Sequence, residues 1–130
     1  MIKIKIVLMI VILGFNSCAT SAKFPVSALT PAAQISITKK TDKHKNAVIS
    51  ITAKHLASPQ RLNPPGISYN VWVLTKDQGV KNVGQLNVKN AKETKFRSVT
   101  AFDFYEIFIT VENQSGLQYP SGAEISRTKI

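Results

Sequence analysis

Few side chains in this sequence have the types and spacing that catalysis or metal binding requires. The two histidines, His44 and His55, stand in polar, basic segments. Because metal sites combine several clustered His, Cys or carboxylate ligands, we predict exposed histidines and no metal. The seven acidic residues show no pairing suited to acid–base catalysis, and neither a Gly-x-Ser-x-Gly elbow nor a phosphate-binding glycine loop is present. We therefore predict that the protein is not an enzyme and uses no cofactor.

The single cysteine, Cys18, is the one side chain that the sequence marks for modification. Before it stand the basic residues Lys3 and Lys5, an apolar run over 6–13, and Ser17 directly preceding the cysteine. The apolar run is too short to span a bilayer comfortably, since a spanning helix needs about 20 apolar residues. The pattern is typical of a bacterial lipoprotein signal. We predict that residues 1–17 are a signal peptide and that Cys18 is lipidated and becomes the new N-terminus.

An ordinary secretory signal is the alternative. Phe15 and Asn16 stand where the lipoprotein pattern prefers leucine and a small residue, and cleavage near Cys18 or Ala22 would then release the protein. Lipidation would instead anchor it to the inner or outer membrane, facing the periplasm or the cell surface, because acyl chains partition into lipid. With one cysteine, an intrachain disulfide is excluded. The predicted membrane partner is therefore lipid, bound through Cys18.

The chain is strongly basic, with 17 Lys and Arg against 7 Asp and Glu and a formal net charge of +10. Removal of the leader with Lys3 and Lys5 leaves about +8. Such a charge favours anionic lipids or acidic glycans, or simply solubility, while export argues against nucleic acid as a partner. The densest cluster lies over 39–45. It predicts either a surface that contacts anionic headgroups or polyanions, or a solvated hairpin tip.

The apolar pattern after the leader has the period of strands, and no window shows a helical period. Residues 18–31 are rich in Ala, Ser, Thr and Pro and predict a flexible tether. Residues 32–130 predict an all-β domain, an antiparallel immunoglobulin-like β-sandwich of about seven strands. The predicted strands are 33–38, 47–53, 67–75, 80–88, 94–99, 105–111 and 123–128.

The strand at 67–75 contains the only tryptophan and is apolar on both faces, which predicts a central strand covered on both sides. Tyr69 and Trp72 are the predicted core anchors. Gly84 predicts a β-bulge or a close backbone approach in the returning strand. An inward stripe that begins at Tyr105 is predicted for the strand at 105–111. Phe102 and its neighbours predict either an interaction surface or a half-buried strand start.

An ordered group of short motifs resembles a known family. It comprises Tyr-Asn-Val-Trp-Val at 69–73, Asp-Gln-Gly at 77–79, Asn-Val-Gly-Gln-Leu at 82–86, Ile-Thr-Val-Glu at 109–112 and Pro-Ser-Gly at 120–122. The group is similar to the extracytoplasmic C-terminal domain of anti-sigma-K factors. The resemblance implies a stand-alone version of that outer domain on a lipid tether.

The departures from that family limit what the resemblance implies. Anti-sigma factors carry an N-terminal sigma-binding domain and a transmembrane helix, neither of which is seen in this sequence, and Asn113 replaces the usual proline. Sigma-factor binding is therefore not expected of this chain. The predicted function is a non-catalytic cell-envelope lipoprotein whose sandwich binds or senses a partner. The alternatives are a structural or assembly protein acting through strand edges, and a carbohydrate-binding accessory module, which Trp72 would support only with an exposed ring.

Overall fold

The regular secondary structure of the described part of the chain is almost entirely β-strand. A computed structural model describes residues 19–77, 79–90 and 92–130, so the predicted signal peptide over 1–17 and Cys18 lie outside it. The one helical element described is a short 3-10 helix, Pro59–Arg61. The strands are β1 Ala19–Lys23, β2 Gln34–Thr41, β3 Ala47–Lys54, β4 Ser68–Thr75, β5 Gly79–Leu86, β6 Glu93–Thr100, β7 Phe104–Glu112 and β8 Ala123–Lys129. The all-β prediction is confirmed.

These strands form two antiparallel sheets of four strands each, consistent with a β-sandwich. The first sheet has the order β1-β2-β3-β6, and the second has the order β5-β4-β7-β8. Hydrogen bonds between the two layers fix how they align, and one of them runs from Ser98 Oγ of β6 to the carbonyl of Val83 of β5 at 2.7 Å. Lys39 Nζ donates to the carbonyl of Phe104 at 2.8 Å, and Ser126 Oγ donates to the carbonyl of Pro25 at 2.7 Å.

This alignment gives the sandwich two distinct ends. The near end carries Ala19 together with the β2–β3, β4–β5 and β6–β7 turns. The far end carries the β3–β4 connection and the β5–β6 and β7–β8 loops. Because antiparallel strands alternate in direction, each loop is thereby assigned to one end.

Part of the predicted flexible tether over 18–31 is ordered, which corrects that prediction. β1 pairs with β2 in the register Ala19↔Lys40 to Lys23↔Ser36. The next residue, Phe24, is 8% exposed within the core, and its N–H donates to the carbonyl of Ile35 at 2.9 Å. Backbone pairing stabilises this strand although its Ala-Thr-Ser-Ala-Lys sequence shows no apolar period. The first described residue after Cys18 is therefore already part of a sheet.

The core lies between the two sheets and is mainly aliphatic. Its most buried members alternate along the facing strands, as the period of two requires, and include Ile37, Ile49, Ile51, Val71, Ile107 and Ile109. Tyr69 belongs to this cluster and is 0% exposed. Trp72 is also 0% exposed, but its side chain lies on the other face of β4, stacked on Phe108 with ring centroids 6.4 Å apart. The indole is therefore buried on the face of β4 opposite Tyr69, outside the inter-sheet cluster.

Three register shifts interrupt the second sheet, and two of them correspond to features predicted from the sequence. Val71 pairs with Gly84 and Trp72 with Asn82, so β5 has one extra residue, and the predicted bulge at Gly84 is confirmed. In β7 the register shifts between the partners of Leu74 and Thr75. That shift leaves Tyr105 40% exposed and turns Phe104 inward at 3%. The prediction that Tyr105 begins the inward stripe is wrong, because a bulge reverses the alternation at that point.

Candidate functional site

A groove of about 590 Å³ opens at the far end of the sandwich. Its walls come from the 3-10 helix, the start of β4, the end of β5 and the β7–β8 loop. Apolar lining comes from residues such as Ile67 and Val88, and none of the lining residues is charged. The amide side chains that line it are Gln60, Gln85, Asn87, Asn113 and Gln114. Each amide offers both donors and an acceptor, so the groove can hydrogen-bond an uncharged polar ligand.

The β7–β8 loop, which forms one wall of the groove, is held by a buried carboxylate. Glu112 is 1% exposed at the end of β7. Ser121, near the other end of the loop, donates to it twice: from N at 3.1 Å to Oε1 and from Oγ at 2.9 Å to Oε2. Thr110 Oγ1 donates to Oε1 at 2.7 Å. Trp72 Nε1 in turn donates to Thr110 Oγ1 at 2.8 Å, which extends the chain of hydrogen bonds to β4.

These contacts favour the ionised form of Glu112. Burial raises the pKa of the carboxyl group, but the hydrogen bonds donated by Thr110, the backbone of Gly122 and Ser121 together outweigh burial and lower the pKa below its usual value of 4.5. All hydrogen-bond partners of the carboxylate are donors. The proton of a neutral Glu112 carboxyl group would therefore face a donor hydrogen, and one of these hydrogen bonds would be lost. The carboxylate therefore has a structural role in closing the loop.

The middle of the same loop lies against the outer face of the second sheet. Asn82 Nδ2 donates to the carbonyl of Leu117 at 3.1 Å and also lies 3.1 Å from the Oδ1 of the buried Asn70. Asn70 Nδ2 donates to Ser68 Oγ at 3.1 Å. This row of amides satisfies polar groups that the loop would otherwise bury without partners.

Close packing of the backbone fixes the β7–β8 loop where it joins β8, and it also fixes the neighbouring β3–β4 connection. A Cβ on Gly122 would overlap the carbonyl oxygen of Val111, and a Cβ on Gly66 would overlap the Val111 side chain. Ile67 N donates to the carbonyl of Glu112 at 2.9 Å, so the β3–β4 connection is tied to the end of β7. Glycine is required at both positions because no other residue lacks a Cβ.

Tyr69 holds the start of β4 against the β3–β4 connection, which forms the opposite wall. Its hydroxyl donates to the carbonyl of Ala57 at 2.7 Å. Burial raises the pKa of Tyr69 to about 12 because the phenolate form would lose its hydration. The groove thus lies between two segments that are each fixed by a buried polar side chain of the second sheet.

The structure does not bring the two histidines together. His44 lies in the β2–β3 turn at the near end, and His55 follows β3 at the far end. Within residues 19–77, 79–90 and 92–130, no group of three or more His, Cys, Asp or Glu side chains could hold a metal ion. No helix in these same ranges has the length and apolarity to cross a membrane. The predicted lipidation site, Cys18, is outside the described residues.

Sequence reasoning did not identify the groove. Asn87 was predicted to lie in the strand at 80–88 and the segment 113–115 in a turn, and nothing in their spacing shows that they meet at one end. The signal available was that several far-end turns carry amides while the lysine cluster over 39–45 lies in a near-end turn.

Comparisons with known proteins leave the family open. No family model, no curated protein and no solved structure matches the chain. The resemblance to the outer domain of anti-sigma-K factors stays a prediction that rests on the motifs given above.

Proposed function

We propose that the protein is a non-catalytic cell-envelope lipoprotein, held to a membrane by an acylated Cys18, whose β-sandwich binds an uncharged polar ligand in its far-end groove. The observation that carries this proposal is the groove itself, lined by five amide side chains and no charged one. Its two walls are fixed by Glu112 and Tyr69, and such preorganisation lowers the entropy cost of binding. A site without charged groups offers neither an acid nor a base for catalysis.

We further infer immunoglobulin-like layering. β2, β3 and β6 are adjacent in one sheet, in the positions of strands A, B and E, and β4, β7 and β8 match strands C, F and G in the other. β5 is an edge strand that pairs with β4, the counterpart of strand C. β1 is an edge strand that pairs with β2, the counterpart of strand A. Order and pairing support this assignment. The absence of a B–F disulfide does not oppose it, since the aliphatic cluster fills that space.

The nature of the ligand follows from the lining. Neutral oligosaccharides and extended peptides present alternating donors and acceptors, which suit side-chain amides. Trp72 takes no part as a stacking platform, because its ring is 0% exposed. A carbohydrate ligand would therefore bind through hydrogen bonds in the groove, with Ile67, 62% exposed, as the apolar contact.

Solution NMR tests the proposal directly. Side-chain NH₂ resonances of Asn and Gln are resolved from the backbone, so neutral envelope oligosaccharides and peptides are titrated while these signals are followed. We expect shifts confined to the amides of the groove, such as Gln60, Asn87 and Gln114. Binding that shifts signals elsewhere, or no binding by any member of the panel, would overturn the groove as the site.

A matched pair of variants separates the groove from the rest of its loop. Gln114 lines the groove, whereas Gln118, in the same loop and also exposed, does not. Gln114→Ala is expected to weaken binding by about tenfold, the effect of one lost hydrogen bond to an uncharged ligand, and Gln118→Ala to leave it unchanged. Equal effects of the two substitutions would contradict the assignment.

A further inference from the structure

The near end of the sandwich has a different chemistry from the groove. Ala19, the residue that directly follows Cys18, is paired with Lys40 at this end. No flexible spacer separates Cys18 from the sheet, since β1 begins at the next residue. An acyl group on Cys18 would therefore hold this end of the domain at the bilayer surface, within the roughly 8–10 Å over which charges are felt in physiological salt.

This end is rich in lysine. Asp42 accepts from the N–H groups of His44 and Asn46, at 2.8 and 2.9 Å, and so shapes the β2–β3 turn that carries Lys43 and Lys45. The lysines at this end are Lys39, Lys40, Lys43, Lys45, Lys76, Lys81 and Lys129, and the carboxylates are Asp42, Asp77, Asp103 and Glu106. Positive charge is therefore in excess at this end, and the side chains of both signs are fully or partly exposed to solvent.

Apolar and aromatic side chains lie among these lysines. Val99 is 46% exposed and Tyr105 is 40% exposed. Lys81 Nζ lies 5.5 Å from the ring centroid of the half-buried Phe102. Aromatic rings with lysines beside them are characteristic of proteins that rest at the level of lipid headgroups.

We infer that the near end is a docking surface for anionic phospholipid headgroups, which orients the domain so that the far-end groove faces away from the membrane. This inference rests on the proposed acylation of Cys18 for its biological setting. The lysine surface nevertheless has an affinity for lipid that can be measured without the acyl chain. Each lysine near an anionic leaflet contributes roughly fivefold in affinity.

Vesicle binding by the domain without its anchor tests the inference. The described strands and the described members of the buried cluster belong to residues 19–130, so this segment is used for the test, and circular dichroism checks that it folds. We expect it to bind vesicles with about 30% phosphatidylglycerol far better than pure phosphatidylcholine vesicles, and to be released when salt is raised from about 0.1 to about 0.5 M.

Two charge-matched variants locate the surface. The near-end variant is Lys40→Glu/Lys43→Glu/Lys45→Glu, and the far-end control is Lys54→Glu/Lys89→Glu/Lys92→Glu. Both lower the net charge equally. We expect the near-end variant to lose about 100-fold in affinity for the anionic vesicles and the control to lose only a few fold, because its lysines lie at the opposite end. The residues changed in these variants are exposed, so both chains should fold.

Three results would overturn the inference. The first is no preference of the domain for anionic vesicles. The second is an equal loss in both variants, which would show a response to net charge alone. The third is a preference for a soluble acidic polysaccharide over the vesicles, which would assign the surface to a polyanion. None of these depends on the groove or on acylation, whose own tests stand separately.

Discussion

Glu112→Gln tests whether one buried carboxylate closes the β7–β8 loop. Hydrogen bonds to a charged group contribute about 1.5–3 kcal/mol each, and the amide of Gln can accept at one of its two terminal atoms only. Its NH₂ group would face the donors of Ser121 or Gly122. The side-chain oxygen of Gln can still accept a hydrogen bond, so only part of the stabilisation provided by the carboxylate is lost. We therefore expect the free energy of unfolding to fall by about 3 kcal/mol at neutral pH.

The same substitution should change the pH dependence. The pKa of Glu112 is lowered in the folded state, so its contribution to stability is fully present above the usual value of 4.5 and is lost as the pH falls through the lower, folded value. Gln carries no such dependence. The difference in unfolding free energy between wild type and variant should consequently shrink on acidification below about pH 4.5. Urea titrations at several pH values, followed by Trp72 fluorescence, measure this difference.

An exposed carboxylate provides the matched control. Glu93 is 3.8 Å from Lys95, and its side chain is 45% exposed. Such surface pairs contribute about 0–1 kcal/mol, so Glu93→Gln should have little effect at any pH. A loss of under about 0.5 kcal/mol for Glu112→Gln, or a difference that does not vary with pH, would refute the role assigned to Glu112.

Three further outcomes follow from the far-end contacts. Gly122→Ala should cost about 2–4 kcal/mol, since its Cβ would overlap the Val111 carbonyl, and unfolding titrations measure this cost; a neutral effect would contradict the close approach. The fluorescence emission maximum of Trp72 should be blue-shifted and its emission should resist quenching by acrylamide, whereas red-shifted, quenchable emission would show an exposed ring. Trp72→Phe should lower the free energy of unfolding by about 2 kcal/mol, because it removes the donor to Thr110. Stability should also fall as pH rises from about 10 towards 12, because Tyr69 ionises more readily when unfolded; Tyr69→Phe should flatten that decline, measured by chemical unfolding at each pH.

The sequence was informative where alternation is regular. Ala47 to Ala53 alternates strictly and is β3, extended by one residue in the structure. The acidic-glycine turn before β5 and the bulge at Gly84 were also recognisable, because glycine supplies backbone conformations that other residues avoid. At Gly84, φ is 140°.

Sequence reasoning failed where tertiary contacts decide the outcome. β1 is stabilised by pairing with β2 and by the burial of Phe24, neither of which a local pattern reveals. The inward position of Phe104 in place of Tyr105 results from a bulge that has no glycine to mark it. The groove unites turns from separate parts of the chain, so its existence depends on which end of the sandwich each turn occupies.

Acylation at Cys18 is central to the proposed function, because that modification would place the lysine-rich end at a membrane and the groove away from it. Mass spectrometry of the N-terminal peptide, taken from the protein extracted from membranes of cells that produce the full chain, measures it most directly. We expect a peptide that begins at Cys18, carries a diacylglyceryl group and lacks residues 1–17. An unmodified Cys18, or a chain cut at Ala22 and found free of membranes, would contradict it.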